Sequence, residues 1–449
     1  MSDISLPQAP PLHRPRRRLV FRIVLWILVL AIVGIAWIVL LASVAPSRLD
    51  LSGGRAILML CAPPVLLALL GWTSLQFLSA PKSVPSLPAS MPASVPSPEV
   101  APALPVPLVP LLRLRIGAWS ALTPYGAVTE TAEGSKARKQ VFKPDKAILH
   151  PSGYPAHVGI VDTLDLAATG HAADTRLRIP RVMTLLAAIL DDLHAQQGSL
   201  VRRVDGPVSV YWLAPDAISG GEVQGAVFAR AWQHSAWRDM PYVLQTMAAG
   251  EAQLFTVLSA LQNGIGQPAF ACAIIVGADS LLDPEELAPA LALGQVFSSS
   301  APQGYIPAEG AGGIVLWNPD RAPEQVWANA AILGPVSIMQ GAATHAAVRS
   351  VMSAAITASG MDAADIAHVV SDADHRQQAS MAVVAAMLQV LAGLDPLEQR
   401  LSPMESAGSF GIAADLVHLA LAVELASEKP ALALGSTGGQ CAGVVVMPA

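Results

Sequence analysis

Few groups in this sequence could do covalent or acid–base chemistry, and most of them stand apart from one another. Asp372, Asp374 and His375 fall within one short stretch, a spacing that could gather two carboxylates and an imidazole for general acid–base work or hydrolysis. The simpler expectation is a solvated polar loop between an apolar strand and a helix. The cysteines, Cys61, Cys272 and Cys441, are odd in number and far apart. They form neither a metal-ligand spacing nor a disulfide framework, which fits a reducing compartment and implies no metal site and no cofactor. Cys272 sits inside an apolar run and reads as a small buried hydrophobe. The glycines of Gly310-Ala311-Gly312-Gly313 and of Gly438-Gly439 allow tight turns and close backbone approach, with or without a ligand. Net charge is −6, and basic residues cluster only near the N-terminus. No nucleic-acid footprint is present.

The elements that must position these groups begin after residue 111. Leu112 to Ile116 alternates in the manner of a strand, and Val208 to Leu213, Ala271 to Val276 (ending in Gly277), Gly312 to Trp317, Ile366 to Val370 and Gly443 to Met447 also read as strands. Arg181 to Gln196, Gln253 to Gln262, Ala347 to Ser359, Met381 to Leu391 and Ile412 to Leu425 read as helices. Strands alternating with amphipathic helices predict an α/β domain over 112–449 whose sheets are covered on both faces.

The first quarter of the chain is different. Mean hydropathy is +0.49 over the whole sequence, and only 13% of residues are charged, which leans towards a membrane protein. Leu19 to Ser43 and Ala56 to Leu78 are each long enough to cross a hydrocarbon core of about 30 Å, although Pro63 and Pro64 would kink the second. Residues 19–78 are therefore expected to form a two-helix transmembrane hairpin. His13-Arg14-Pro15-Arg16-Arg17-Arg18 marks residues 1–18 as a basic cytoplasmic tail by the positive-inside rule. Two crossings would leave the soluble domain on the same side, an arrangement expected of a bacterial inner-membrane protein. Residues 79–111 are rich in Pro, Ser and Ala and read as a semi-rigid linker.

Six landmarks, in order, resemble the β-ketoacyl-ACP synthases. Leu114 to Gly126 resembles the family's opening strand and turn. Ile274-Ile275-Val276-Gly277-Ala278-Asp279-Ser280 resembles its strand ending in A-G-G. Ile306-Pro307-Ala308-Glu309-Gly310-Ala311-Gly312-Gly313-Ile314-Val315-Leu316 is close to G-E-G-A-G-x-x-V-L. Asp365 to Val370 resembles the strand before the first catalytic histidine, Ser409-Phe410-Gly411-Ile412-Ala413-Ala414 the S-x-G-A-A-G segment after the second, and Gly438-Gly439 the terminal glycine-rich gate. The resemblance implies a thiolase-like α/β fold of two similar βαβαβαββ halves, layered α-β-α-β-α, with Gly277, Gly310, Gly312 and Gly313 as structural glycines.

It also implies a catalytic set that this sequence lacks. Met247 stands nearest the nucleophilic cysteine's place, and a thioether forms no thiolate. Asp372 takes the place of the first histidine and Gly408 that of the second, while Pro403 and Met404 occupy the region of the family lysine. A scaffold without thiolate or imidazole is expected to be a pseudoenzyme. Met247, Asp372, Asp374, His375, Gly408, Phe410, Gly438 and Gly439 remain candidates to line its pocket. The expected function is a membrane-anchored interaction or adaptor module with a protein partner, in outline similar to adaptors that load lipase effectors onto the type VI secretion machine. The alternatives are a non-catalytic auxiliary subunit of a fatty-acid or polyketide ketosynthase, and an acyl-binding enzyme with altered residues. The fold resemblance implies a homodimer.

Overall fold

The structure, a computed structural model, describes residues 113–218, 221–245, 253–264, 270–436 and 439–449. The tail, the expected hairpin at 19–78, the linker, Cys61, Met247 and Gly438 lie outside these residues. Among the described residues, no helix is long and apolar enough to cross a membrane.

The first half of the domain runs β1 (Arg115–Leu122), α1 (Val128–Lys136), a hairpin of β2 (Lys143–Leu149) and β3 (Pro155–Val158), α2 (Arg178–Val201), β4 (Val208–Leu213), α3 (Gly221–Gln233), β5 (Tyr242–Gln245), α4 (Leu254–Asn263), β6 (Cys272–Ser280), α5 (Pro284–Ala292) and β7 (Glu309–Trp317). The second half runs β8 (Ala331–Leu333), β9 (Ser337–Gln340), α6 (His345–Ser359), β10 (His368–Ser371), α7 (Gln377–Val390), β11 (Arg400–Leu401), α8 (Ala414–Leu425), β12 (Ala431–Gly435) and β13 (Gln440–Met447).

The strand order repeats. One half reads β5-β4-β6-β7-β1, the other β11-β10-β12-β13-β8. In each, the first three strands are parallel and the last two run antiparallel to their neighbours. Each half thus follows the same path through space, and β1 joins β8 to make the sheets continuous.

Strand parity builds the layers, because successive side chains of a strand point to opposite faces. In β6, Ala273 and Ile275 face a central cluster with α4 and α8, whereas Cys272, Ile274 and Val276 face α2 and α3. In β12, Ala431 and Ala433 face the same central cluster, whereas Leu432 and Leu434 face α6 and α7. The result is the α-β-α-β-α stack the resemblance implies. The small residues of β12 are what make room: Asp415 and Phe255, from the first turns of α8 and α4, close over Gly435, where a Cβ would come within 2.6 Å of Phe255 Cε2.

Several boundaries differ from the sequence expectation. The strand expected to stop at Gly277 continues to Ser280, because its register with β7 is unbroken down to the Ser280–Glu309 pair. The first strand starts at Arg115 and runs through Leu122, across what looked like a turn.

Candidate functional site

The candidate site gathers at the C-terminal ends of β10 and β12, where the first turns of α4 and α8 also meet. Crevices at the carboxyl ends of parallel strands are where α/β sheets leave room for ligands. Asp372 follows β10 directly. Its Oδ2 accepts the backbone N–H of Ser436 at 2.6 Å and also the Ser436 hydroxyl. Burial pushes the Asp372 carboxyl above the usual carboxylate range, with Asp374 adding to the rise and the two Ser436 bonds opposing it. Gln440, at the start of β13, points inward and accepts from Thr256 Oγ1 of α4 at 3.5 Å.

The polar stretch after β10 is not the solvated turn expected from sequence. Asp374 is buried and committed to its own neighbour, accepting from the backbone N–H and guanidinium of Arg376 at 3.0 and 2.7 Å. His375 turns its ring edge-on to Phe297, 5.2 Å between centroids, in a cluster that includes His157 and Phe142. Both ring nitrogens of His375 are enclosed and hydrogen-bonded to nothing among the described residues. Asp372, Asp374 and His375 are therefore sequence neighbours with three separate environments, and they form no relay.

Gly408 precedes the loop into α8 with φ +94°, a conformation that side chains rarely adopt. A Cβ there would also meet the Ile306 carbonyl at 2.8 Å. The neighbouring Ser409 locks this geometry, donating its N–H to Ile306 at 2.8 Å and accepting from Ala308 at 3.2 Å. An imidazole at this place would need a different backbone, not only a different codon. Phe410 is buried against Gly310, whose Cβ would stand 3.1 Å from the ring. Gly312 lets α8 lie on β7: a Cβ would meet Leu416 and Val417 backbone at 2.8 Å. Gly313 admits Ile189 and Leu193 of α2, and Gly277 admits Leu416. Gly439 has φ +75° and accepts from Gly341 N–H at 2.8 Å.

Neither described cysteine supplies a thiolate. Cys272 is buried in β6, and burial pushes its pKa up to about 12. Cys441 faces the outer α6–α7 cluster, and burial, with the nearby Asp372 charge, pushes it up to about 11. His418 is wholly buried in α8, makes no side-chain hydrogen bond among the described residues, and is held neutral by burial with a pKa lowered to about 3. Among the described residues no group of His, Cys, Asp and Glu could hold a metal ion.

Sequence reasoning missed the polar framework beside this site. Arg181 of α2 forms a fully buried ion pair with Glu309, which also accepts from Val161 N–H and Ser280 Oγ. Arg178, one turn earlier, pairs with Asp279 at 2.8 Å and with Glu286 at 2.6 Å. Asp279 in turn accepts the N–H of Ile412 at 3.2 Å and so ties the loop after Gly408 to β6. Two arginines a helical turn apart before an apolar helix were the available signal. Ser436 had none beyond its place two residues before Gly438.

The sequence matches no protein-family model and no curated protein. Its fold is similar to that of solved structures. The ishigamide ketosynthase/chain length factor aligns with a TM-score of 0.55 at 18% identity, covering 75% of this chain and 99% of that one. A ketosynthase in complex with its chain length factor from Xenorhabdus doucetiae aligns at 0.52 and 14% identity, over 75% and 98% of the two chains. A beta-ketoacyl synthase from Burkholderia phymatum STM815 aligns at 0.54 and 13% identity, over 76% and 100%. The described residues thus have the thiolase-like fold of the ketosynthases and chain length factors.

Proposed function

We propose that the chain is a catalytically silent ketosynthase-like subunit that acts through a protein partner, as an auxiliary to a catalytic ketosynthase. The observation that carries this reading is Asp372, bound by Ser436 where the family resemblance expects an imidazole. A carboxyl group there takes up the hydroxyl and amide that could otherwise face a substrate, and in its charged form it repels a developing enolate. The glycine at 408, held at a φ that side chains rarely adopt, and the two thiols whose pKa burial raises point the same way. Solved neighbours include ketosynthases described together with a chain length factor, which favours an auxiliary subunit over the adaptor reading. Nothing among the described residues argues specifically for effector delivery.

Two measurements test the proposal. Incubation of the full-length chain, in detergent, with acyl-ACP and malonyl-ACP is expected to leave its mass unchanged and to release no carbon dioxide. Affinity purification from the native host is expected to bring down a second ketosynthase-like chain with an intact cysteine and two histidines. An acyl adduct on the protein, or condensation product from it alone, would overturn the reading.

A further inference from the structure

A second concavity lies at the other end of α8. Glu424 sits nine residues beyond Asp415, about 14 Å along the helix at about 1.5 Å per residue. There, α1, the end of α8 and the start of β10 enclose a groove of about 350 Å³, within the size range of small-molecule sites. Its base is fixed. Glu424 accepts from the Trp119 indole at 2.9 Å and from Thr129 at 3.2 Å. The walls are charged in both senses: Glu133 and Lys136 on α1, Glu428 and Lys429 after α8. None of these four forms an ion pair among the described residues. His368 completes the lining. Burial, and then the charge of Lys136, lower its pKa, while a bond to the Gln399 backbone opposes the change. Its Nδ1 is enclosed and has no hydrogen-bond partner among the described residues.

We infer that this groove binds a small zwitterion, an amino acid or dipeptide. Its ammonium group would meet Glu133 and Glu428, and its carboxylate would meet Lys136 and Lys429. Opposite charges held unpaired on both walls suit a ligand that carries both signs, and they disfavour a simple anion, a simple cation or an acyl chain. The inference goes beyond the auxiliary-subunit reading and does not depend on it.

The test is saturation-transfer NMR on the detergent-solubilised full chain, with the twenty amino acids and a set of glycyl dipeptides as probes. At least one probe is expected to bind with a Kd of about 1 mM or tighter. The pair Lys136→Ala with Lys429→Ala is expected to weaken it tenfold or more at unchanged Tm, and N-acetylated or C-amidated forms of the same probe are expected to lose binding. Absence of transfer from every probe at about 10 mM, or binding that the lysine pair and the blocked forms leave unchanged, overturns the inference.

Discussion

Ser436 gives both its hydroxyl and its backbone N–H to one oxygen, Oδ2, of Asp372. That double donation stitches the end of β10 to the end of β12. It also holds a carboxyl group in an enclosure that raises its pKa. A raised carboxylate destabilises the folded state wherever it is charged. The penalty is full above the folded pKa, shrinks as pH falls towards the unfolded value of 3.8, and is gone below it. Asp372→Asn keeps an acceptor for Ser436 and removes the charge. Its Tm is expected to exceed that of the parent at pH 8, with the gap closing as pH approaches 4. A gap independent of pH would contradict this account. Ser436→Ala, by contrast, is expected to lower stability by about 1–3 kcal/mol at neutral pH, since it strips a donor from an enclosed acceptor.

His418 supplies the opposite slope. Its folded pKa is lowered to about 3 from 6.5, so the unfolded chain takes up a proton that the folded chain refuses. Stability is therefore lost progressively as pH falls from 6.5 towards 3, at up to about 1.4 kcal/mol per pH unit from this one group. His418→Leu is expected to flatten that acid limb in urea unfolding measured at a series of pH values. A variant with the parent's slope would place the imidazole in a polar or wet environment.

The pair Arg181–Glu309 is buried on both sides. Removing one partner strands a charge, so Arg181→Met or Glu309→Gln is expected to cost about 3–5 kcal/mol. Arg181→Met with Glu309→Leu is expected to recover much of that loss, because burying an intact pair is itself costly. A double-mutant cycle with no coupling would show the two side chains to be independent.

Close helix-on-strand packing makes Gly312→Ala a sharp probe of the centre of the fold. The added methyl would meet α8 backbone at 2.8 Å, not a side chain that can swing away. A loss of about 1–3 kcal/mol is expected, read as a lower urea midpoint. Gly225→Ala, on α3 with nothing within 4 Å of the added atom, is the matched control and is expected to be neutral or slightly stabilising.

Much of the domain was legible from periodicity. Val208–Leu213 forms the strand expected for it, and the helix expected at Gln253 begins one residue later, since long apolar alternation and amphipathic runs are strong local signals. The short strands β5, β9 and β11 were not legible. Strands of two to four residues carry too little pattern and exist only because a neighbouring edge is there to pair with. The site divides in the same way. Asp372 could be placed because it follows a readable strand, whereas its partner Ser436 is 64 residues away and is brought in only by the pairing of β10 with β12. The aromatic seat of His375 escaped notice because it depends on Phe297, from a distant loop, and the burial of Asp374 because a polar stretch carries no signal of what will cover it.

One consequence follows from the parity of β13. Gln440 looks inward to the helix pair and Cys441 outward, so the sulfur lies one peptide unit from the inward-facing row and is kept out of it. A one-residue slip of β13 against β12 would turn Cys441 inward, but it would also turn every other side chain of the strand to the opposite face, Val444 and Val446 included. The side on which this thiol is held is thus secured by the whole apolar alternation of the strand.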